Sequence, residues 1–297
     1  MTESLRWEVE GRDWPHREAS SFVQSAGLRW HVQRMGSGPV LLLAHGTGSA
    51  THSWRGLMPL LAQHFTVVAP DLPGHGFTHT PRPGGLSLPG MAEALAALLA
   101  TLGVRPVLAA GHSAGAAIVA RMSLDGRLPV AGLLSLNGAL LPLRGLPGVV
   151  FAPLARLFAA TSLVPRLFAW RASDPIVVER LVRGTGSTLD AEGLALYGRL
   201  IRSPRHAAAA LDMMAQWDVH PLERDLPRLQ PRLLQVVGTN DLTVPPAEAR
   251  RVCALLPEAA IVPLAGAGHL AHEERPREVA DLTIRFAAET GVLPAIA

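Results

Sequence analysis

The sequence predicts an α/β fold with a mostly parallel, doubly wound sheet and a helical cap inserted between two of its strands. Two observations favour this class. Short, unbroken apolar runs alternate with helical patterns along most of the chain, which is typical of parallel strands joined by right-handed crossovers. The alternation stops at residues 139–216 and then resumes. We therefore expect one sheet-based domain that carries an insertion.

The apolar runs are interpreted as parallel strands, because a strand that is buried on both faces is apolar throughout. They occupy residues 40–44, 65–69, 132–136, 232–237 and 260–264, and another run leads into Ser113. After an irregular arm at residues 1–18, alternation around Ala26-Gly27 predicts a hairpin over residues 21–33. Helical spacing predicts helices at residues 53–63, 88–102, 246–256 and 276–288.

The interruption at residues 139–216 contains no run of the strand type. Short helical patterns there are separated by prolines, which break helices. The separating prolines are Pro142, Pro147, Pro153, Pro165, Pro175 and Pro204. Because the segment is rich in Leu, Phe, Val and Met, we interpret it as a folded cap and not as disorder. The core domain is then formed by residues 1–138 and 217–297.

The charge pattern argues against nucleic-acid binding. All 27 basic residues are Arg and 24 residues are acidic, so the net charge is only +3, although the isoelectric point is about 10.2. A nucleic-acid-binding protein usually has a dense basic patch with exposed aromatic residues. Residues 139–217 carry nine Arg and five acidic residues. This excess of positive charge could serve to bind an acidic substrate or an anionic membrane, or it could belong to a solvated helical face.

The chain has a single cysteine, Cys253, which excludes an intramolecular disulfide and fits a reducing compartment. The N-terminus lacks the basic start and apolar core of a secretory signal, and no apolar stretch reaches membrane-spanning length. We therefore expect a soluble, cytoplasmic protein. The positive mean hydropathy of +0.24 leaves peripheral membrane contact open.

Residues 111–115 form a G-x-S-x-G sequence between an apolar run and an alanine-rich helical pattern. A strand that turns sharply into a helix at a serine needs small residues on both sides, because its backbone is strained and the helix packs closely on the strand. Gly111, Ala114 and Gly115 supply that space. The sequence therefore predicts Ser113 as a nucleophile, raised above the carboxyl edge of the sheet.

A serine nucleophile needs a base, and the base needs an acid to orient it. In a parallel sheet these groups follow the carboxyl ends of strands. Asp241 lies in the loop after the run at residues 232–237, and His269 lies in the loop after the last run. The order Ser113, Asp241, His269 predicts a Ser-His-Asp triad of the order that α/β hydrolases use.

Three other residues are candidates for the roles of base and acid. His272, three positions after His269, is the second choice for the base. Asp218 precedes a proline-containing connection and is interpreted as a cap or turn residue. Asn137 ends a strand where some folds of this type place the acid, but an amide cannot serve as one.

The remaining histidines are assigned structural roles. His75 and His79 have a spacing that metal ligands use, but Gly76 breaks the loop and no carboxylate accompanies them, so no metal site is predicted. His45 and His112 are interpreted as structural hydrogen-bond donors. No cofactor is predicted.

Hydrolysis also needs N–H donors for the oxyanion. The N–H of Ala114, at the start of a helix, and the N–H of Thr47, in the glycine-flanked loop at residues 45–48, are the predicted pair.

Together these residues resemble the α/β-hydrolase-fold family over nearly the whole chain. The matching motifs are His45-Gly46, residues 71–76, residues 111–115, Asp241, and Gly268-His269 followed by residues 274–276. The resemblance implies acyl hydrolysis through the triad. The serine at the corner makes haloalkane dehalogenases and epoxide hydrolases poor fits, because those families have aspartate there.

A narrower resemblance joins residues 13–20, 27–33, 45–48 and 51–55 to the magnesium chelatase accessory proteins of bacteriochlorophyll synthesis, the BchO type. It implies a phototrophic bacterium, chelatase subunits as possible partners, and a tetrapyrrole carboxylate or its ester as a conceivable ligand. A mildly basic, apolar cap would suit such a flat acidic molecule.

Three hypotheses remain open. The first is a serine hydrolase that acts on an ester or related acyl bond of a small apolar or acidic substrate. The second is a non-hydrolytic accessory protein that binds a tetrapyrrole or the chelatase. The third is carbon–carbon bond hydrolysis or perhydrolysis on the same triad. In each case we expect the cap arginines to line or surround the mouth of the site; these are Arg144, Arg156, Arg166 and Arg171.

Overall fold

The computed structural model describes residues 4–142, 171 and 174–295. Within these residues, eight strands form one sheet in the order β1-β2-β4-β3-β5-β6-β7-β8. The strands are β1 (Ser20–Ser25), β2 (Leu28–Met35), β3 (Val40–Ala44), β4 (Thr66–Pro70), β5 (Leu108–His112), β6 (Gly132–Leu136), β7 (Arg232–Gly238) and β8 (Ala260–Leu264). β2 pairs antiparallel with β1 and β4, and all pairings from β4 to β8 are parallel. This sheet confirms the predicted fold class.

Helices connect the strands and cover the sheet. Those that the described residues contain are α1 (Trp7–Glu10), α2 (Met58–Leu61), α3 (Leu88–Leu102), α4 (Ala114–Leu124), α5 (Pro175–Gly184), α6 (Ala191–Ile201), α7 (Pro204–Gln216), α8 (His220–Asp225), α9 (Ala247–Leu255), α10 (Ala271–Glu274) and α11 (Pro276–Glu289). Short 3₁₀ turns lie at Arg17–Ala19, Thr51–Trp54 and Leu226–Arg228.

The core consists of two apolar layers, one on each face of the sheet. Side chains alternate along β3, so that Leu42 belongs to one layer and Leu41 and Leu43 belong to the other. The first layer is completed by apolar residues of α3 and α4, and the second by those of α2 and α11. Both faces are therefore covered, as the unbroken apolar strands predict.

Within the described part of the predicted insertion, the helices are α5, α6 and α7. Each has an N-cap residue whose side chain accepts a backbone N–H of the first turn, namely Asp174, Asp190 and Ser203. The described residues 174–216 contain no strand. Four arginines were expected near the mouth of the site. Arg171 is exposed, whereas Arg144, Arg156 and Arg166 lie outside the described residues.

The single helix predicted over residues 53–63 is wrong. The chain forms instead the 3₁₀ turn Thr51–Trp54 and the one-turn α2. Pro59 explains the break, because it has no N–H to donate to the carbonyl of Arg55 four positions earlier. That carbonyl interacts with His16 Nε2, at 2.8 Å.

The predicted irregular arm contains the one-turn α1, and Trp14 anchors it. The Trp14 side chain is buried, and its indole N–H donates to Thr51 Oγ1 at 3.0 Å. Among the described residues, no helix has both the length and the apolar character needed to cross a membrane.

Candidate active site

Ser113 lies at the sharp corner between β5 and α4. Its backbone has φ 51° and ψ −117°, a conformation that few residues other than glycine adopt. The corner is closed by close backbone contacts: a Cβ on Gly115 would lie 2.0 Å from the carbonyl oxygen of Ala44, and one on Gly111 would lie 2.3 Å from the nitrogen of Ala116. Only glycine fits at these two positions, which explains the G-x-S-x-G spacing.

The imidazole of His269 and the carboxylate of Asp241 are in contact, with Nδ1 and Oδ2 2.7 Å apart. The Asp241 side chain is fully buried, and that of His269 is 8% exposed. The N–H groups of Thr243 and Val244 donate to the other carboxylate oxygen at 2.7 and 2.9 Å. Because Nδ1 donates to Asp241, the Nε2 atom of neutral His269 is free to accept a proton.

Asn137 contributes a contact that sequence reasoning missed. Its side-chain amide donates to Asp241 Oδ2 at 2.7 Å, the same oxygen that accepts the His269 proton. Asn137 directly follows β6 and has φ +47°, a left-handed conformation that Asn tolerates better than most residues. The signal in the sequence is its position directly after a strand, where an amide can orient an acid although it cannot replace one.

The predicted oxyanion loop lies directly against the serine corner. A Cβ on Gly46 would lie 3.1 Å from the Cβ of Ser113. Thr47, the next residue, is half-buried, and its hydroxyl donates to Met213 Sδ of α7 at 3.4 Å. Ala114 is the first residue of α4, so its N–H is one of the helix's free donors.

The buried side chain of His45 holds the oxyanion loop through hydrogen bonds to the backbone. Its Nε2 accepts the N–H of Leu72 at 2.8 Å, so the ring is protonated at Nδ1 and donates to the carbonyl of Gly46 at 2.8 Å. Burial lowers the pKa of His45. A neutral imidazole that is held on both sides is a structural donor, the role expected from the sequence.

His272, the alternative base, is fully enclosed. Its ring packs between the rings of Trp54 and His112, with centroids 4.7 and 4.4 Å away, and neither ring nitrogen has a hydrogen-bond partner. Burial lowers its pKa to about 3. His112 Nε2 lies 3.0 Å from the carbonyl oxygen of His269, so its N–H holds the backbone of the His269 loop.

A buried ion pair that the sequence does not indicate joins Arg55 to Glu273 of α10, the helix that begins just after His269. Glu273 accepts hydrogen bonds from Arg55 Nη1 and, at 2.7 Å, from the Tyr197 hydroxyl of α6. Arg55 Nη2 also contacts Asp190, at 3.1 Å. Burial raises the pKa of Glu273 to about 7, although Arg55 and Tyr197 favour its ionised form. The partners are distant in sequence and lie outside the motifs, so no signal indicated the pair.

A hydrogen-bonded series of Ser, His and Asp occurs away from Ser113, at the edge of the sheet. Ser20 Oγ lies 3.0 Å from His31 Nε2, and His31 Nδ1 lies 2.7 Å from Asp71 Oδ2. Asp71 also accepts the N–H of Thr51 at 2.7 Å and that of Phe77 at 2.9 Å. Burial alone would raise the pKa of Asp71, but the charge and hydrogen bond of His31 hold it below its usual range. This series ties three segments of the core together.

Two further sequence assignments can be located. His75 is buried and lies 3.0 Å from the carbonyl of Pro73, whereas His79 is exposed. Asp218 accepts the N–H of His220 at 3.0 Å, as a turn residue does. Across residues 4–142, 171 and 174–295, no group of three or more His, Cys, Asp or Glu side chains could hold a metal ion.

Comparison with known proteins identifies the family. The model of the α/β hydrolase fold family matches residues 39–276. This chain belongs to the α/β hydrolase fold family. Over 263 residues it is 38% identical to the magnesium-chelatase 30 kDa subunit of Rhodobacter capsulatus, a match that covers 88% of this chain and 92% of that protein. Both resemblances expected from the sequence are thereby confirmed.

Solved structures of the family share the architecture. An enol-lactonase from Burkholderia xenovorans superposes with a TM-score of 0.73 at 21% identity, covering 90% of this chain and 99% of that one. The epoxide hydrolase CorEH superposes with a TM-score of 0.78 at 23% identity, covering 91% of this chain and 98% of that one. At these identities the likeness shows the fold alone.

Proposed function

We propose that this α/β-hydrolase-fold protein is a serine hydrolase that cleaves an ester or related acyl bond. Ser113 is the nucleophile, His269 the base and Asp241 the orienting acid. The observation that carries the proposal is the hydrogen bond of 2.7 Å between His269 and Asp241, on loops that follow β8 and β7, together with the strained backbone of Ser113. Strained residues of this kind persist only where the surrounding structure holds them, and they cluster at functional sites.

The chemistry follows from these roles. Ser113 Oγ forms a bond to the substrate carbonyl carbon, while its proton passes to His269 Nε2. The oxyanion is stabilised by the N–H groups of Ala114 and Thr47. The carbon–oxygen bond to the alcohol then breaks, and the alcohol leaves with the proton from His269. Water attacks the acyl-enzyme by the same route, releasing the acid and restoring the serine.

We propose further that residues 174–216, the part of the predicted insertion that the structure describes continuously, cap this edge of the sheet. Helices α6 and α7 contact the oxyanion loop directly. Tyr197 OH lies 3.3 Å from Ser49 Oγ, and His206 Nε2 lies 3.1 Å from the carbonyl of Gly48. The N–H of Gly76 donates to His206 Nδ1 at 3.0 Å, so Nε2 carries the ring proton and donates it to Gly48.

A labelling experiment tests the hydrolase proposal. The purified chain is treated with a fluorophosphonate probe, and the labelled residue is mapped by mass spectrometry. We expect labelling at Ser113, and a loss of p-nitrophenyl butyrate turnover on the order of 10⁴-fold in Ser113→Ala. Ser20→Ala is the matched control, because Ser20 also faces a histidine–aspartate pair. Labelling that persists in Ser113→Ala would contradict the proposal.

A second candidate function is favoured by the similarity to the Rhodobacter capsulatus protein. In this alternative the chain acts with a magnesium chelatase in bacteriochlorophyll synthesis and binds a tetrapyrrole without hydrolysing it. Titration with protoporphyrin IX, followed by Soret absorbance, and co-purification with chelatase subunits test it. Tight porphyrin binding without labelling of Ser113 would favour this alternative, whereas labelling without porphyrin or chelatase binding would favour the hydrolase alone.

A further inference from the structure

The turn that joins α5 to α6 lies between the two loops that carry the proposed base and acid. The carbonyl of Thr185 accepts the N–H of His269 at 3.3 Å and the N–H of Leu242 at 3.1 Å. Leu242 directly follows Asp241. One carbonyl of the insertion therefore binds the backbone of both loops, although Asp241 and His269 are 28 residues apart in the sequence.

Close backbone packing reinforces this contact. Gly186 has φ +84°, and a Cβ there would lie 1.9 Å from the carbonyl oxygen of Asn240. A Cβ on Gly268 would lie 2.3 Å from the carbonyl carbon of Gly186. The turn and the two loops thus meet without side chains between them, so a shift of the turn is transmitted to both loops.

Ser187 provides the side-chain contact of this turn. It is 1% exposed, and its Oγ accepts the N–H of Leu270 at 2.8 Å. The peptide groups on both sides of His269 are consequently bound to the same turn. The carbonyl of His269 is held separately by His112, at 3.0 Å. These three hydrogen bonds fix the backbone of His269, so the position of its imidazole then depends only on the side-chain torsions.

We propose that Ser187 is a positioning residue that sets the location of the His269 imidazole through the backbone of Leu270. This inference rests on the proposed hydrolase function for its kinetic consequence, but not for its structural one. Removal of the hydroxyl leaves a buried N–H without a partner, which the loop can satisfy only by moving. A displacement of about 1 Å at a catalytic group costs up to about 100-fold in rate.

The test compares Ser187→Ala and Ser187→Cys with Ser87→Ala. The cysteine nearly preserves the size of serine but accepts hydrogen bonds weakly, so its effect should be intermediate. Ser87 is the matched control, because its hydroxyl accepts the N–H of Gly90 at 3.3 Å at the start of α3, outside the site. Circular dichroism and thermal unfolding verify that each variant is folded.

Two readouts are measured on each variant. The first is the rate of fluorophosphonate labelling at Ser113, together with kcat and KM for p-nitrophenyl butyrate. We expect Ser187→Ala to lower the labelling rate and kcat by about 10- to 100-fold while KM changes little, since a misplaced base affects the chemical step. The second readout is the NMR signal of the His269 ring, including its Nδ1 proton and its titration. We expect this signal to shift in Ser187→Ala, less so in Ser187→Cys, and not in Ser87→Ala.

The outcomes separate the two proposals. If the wild-type chain is not labelled at Ser113, the proposed function fails, and the NMR comparison alone decides the positioning role. If labelling and the His269 signal are both unchanged in Ser187→Ala, the positioning role is overturned while the hydrolase proposal stands. Equal kinetic losses in Ser187→Ala and Ser87→Ala, with an unchanged His269 signal, would likewise overturn it, because the loss would then reflect general destabilisation.

Discussion

Replacing Glu273 by Gln should make the stability of the protein less sensitive to pH. The Glu273 side chain is fully buried on α10, where it contacts Arg55 and Tyr197. Arg55 opposes the effect of burial, but it is 12% exposed and shares its charge with Asp190. The net result is a raised pKa for Glu273, so its ionised form is less favourable in the folded state than in the unfolded chain.

The size of the effect follows from the pKa values. Burial raises the pKa of Glu273 from 4.5 to about 7. Below pH 4.5 both states hold the proton. Between pH 4.5 and about 7 only the folded state holds it, so the free energy of unfolding falls by about 1.4 kcal/mol per pH unit as the pH rises. Above about pH 7 the carboxylate is ionised in both states, and the free energy of unfolding is then lower by about 3 kcal/mol than below pH 4.5, because the two pKa values differ by about 2.5.

Urea unfolding followed by tryptophan fluorescence measures this cost. The free energy of unfolding of Glu273→Gln minus that of the wild type should increase by about 2 to 3 kcal/mol between about pH 5 and pH 8. Comparison of the two proteins cancels the other titrating groups. Glu278→Gln, which removes an exposed carboxylate from α11, should show no such trend. If the wild type and Glu273→Gln have parallel pH profiles, Arg55 keeps the buried carboxylate ionised and the reasoning is refuted.

Three further substitutions test the site and its frame. Asp241→Asn should lower kcat about 10⁴-fold with little structural change, because it favours the wrong tautomer of the base; steady-state kinetics and circular dichroism check this. Gly115→Ala, whose Cβ would meet a backbone carbonyl, should cost about 3 kcal/mol or more in urea unfolding, whereas Gly27→Ala, with open space around it, should cost about 1 kcal/mol. His272→Phe removes two buried nitrogens without partners and should leave stability equal or raised by about 1 kcal/mol, with Ser113 still labelled.

The sheet could be predicted closely from the sequence. The bounds expected for β3, β6 and β8 agree with the structure residue for residue. These strands are short, mostly apolar runs that end at turn residues, so the local sequence pattern alone predicts where each strand begins and ends. The helix expected at residues 53–63 does not form as one element, because Pro59 removes a helical hydrogen bond although the apolar spacing continues through it.

The contacts around the site could be predicted only in part. Strand-end positions indicated Asp241 and His269, because parallel strands bring their carboxyl ends to one edge. The contacts of Asn137 and of the pair Arg55–Glu273 depend on side-chain packing between segments up to 218 residues apart. Neither has a local pattern, so only the folded structure reveals them. The catalytic roles of the three triad residues stay predictions until Ser113 is tested.

The series Ser20, His31 and Asp71 shows why side-chain contacts alone do not define an active site. Ser20 is hydrogen-bonded to His31, and His31 to Asp71, within normal distances. Ser20, however, lies on an ordinary strand and also accepts a hydrogen bond from Gln33 at 3.2 Å, which occupies one of its lone pairs. Ser113 instead lies at a strained corner, at the start of a helix and beside a glycine-flanked loop. Since the predicted oxyanion donors, the N–H groups of Ala114 and Thr47, lie at Ser113 and not at Ser20, a selective probe should distinguish the two serines.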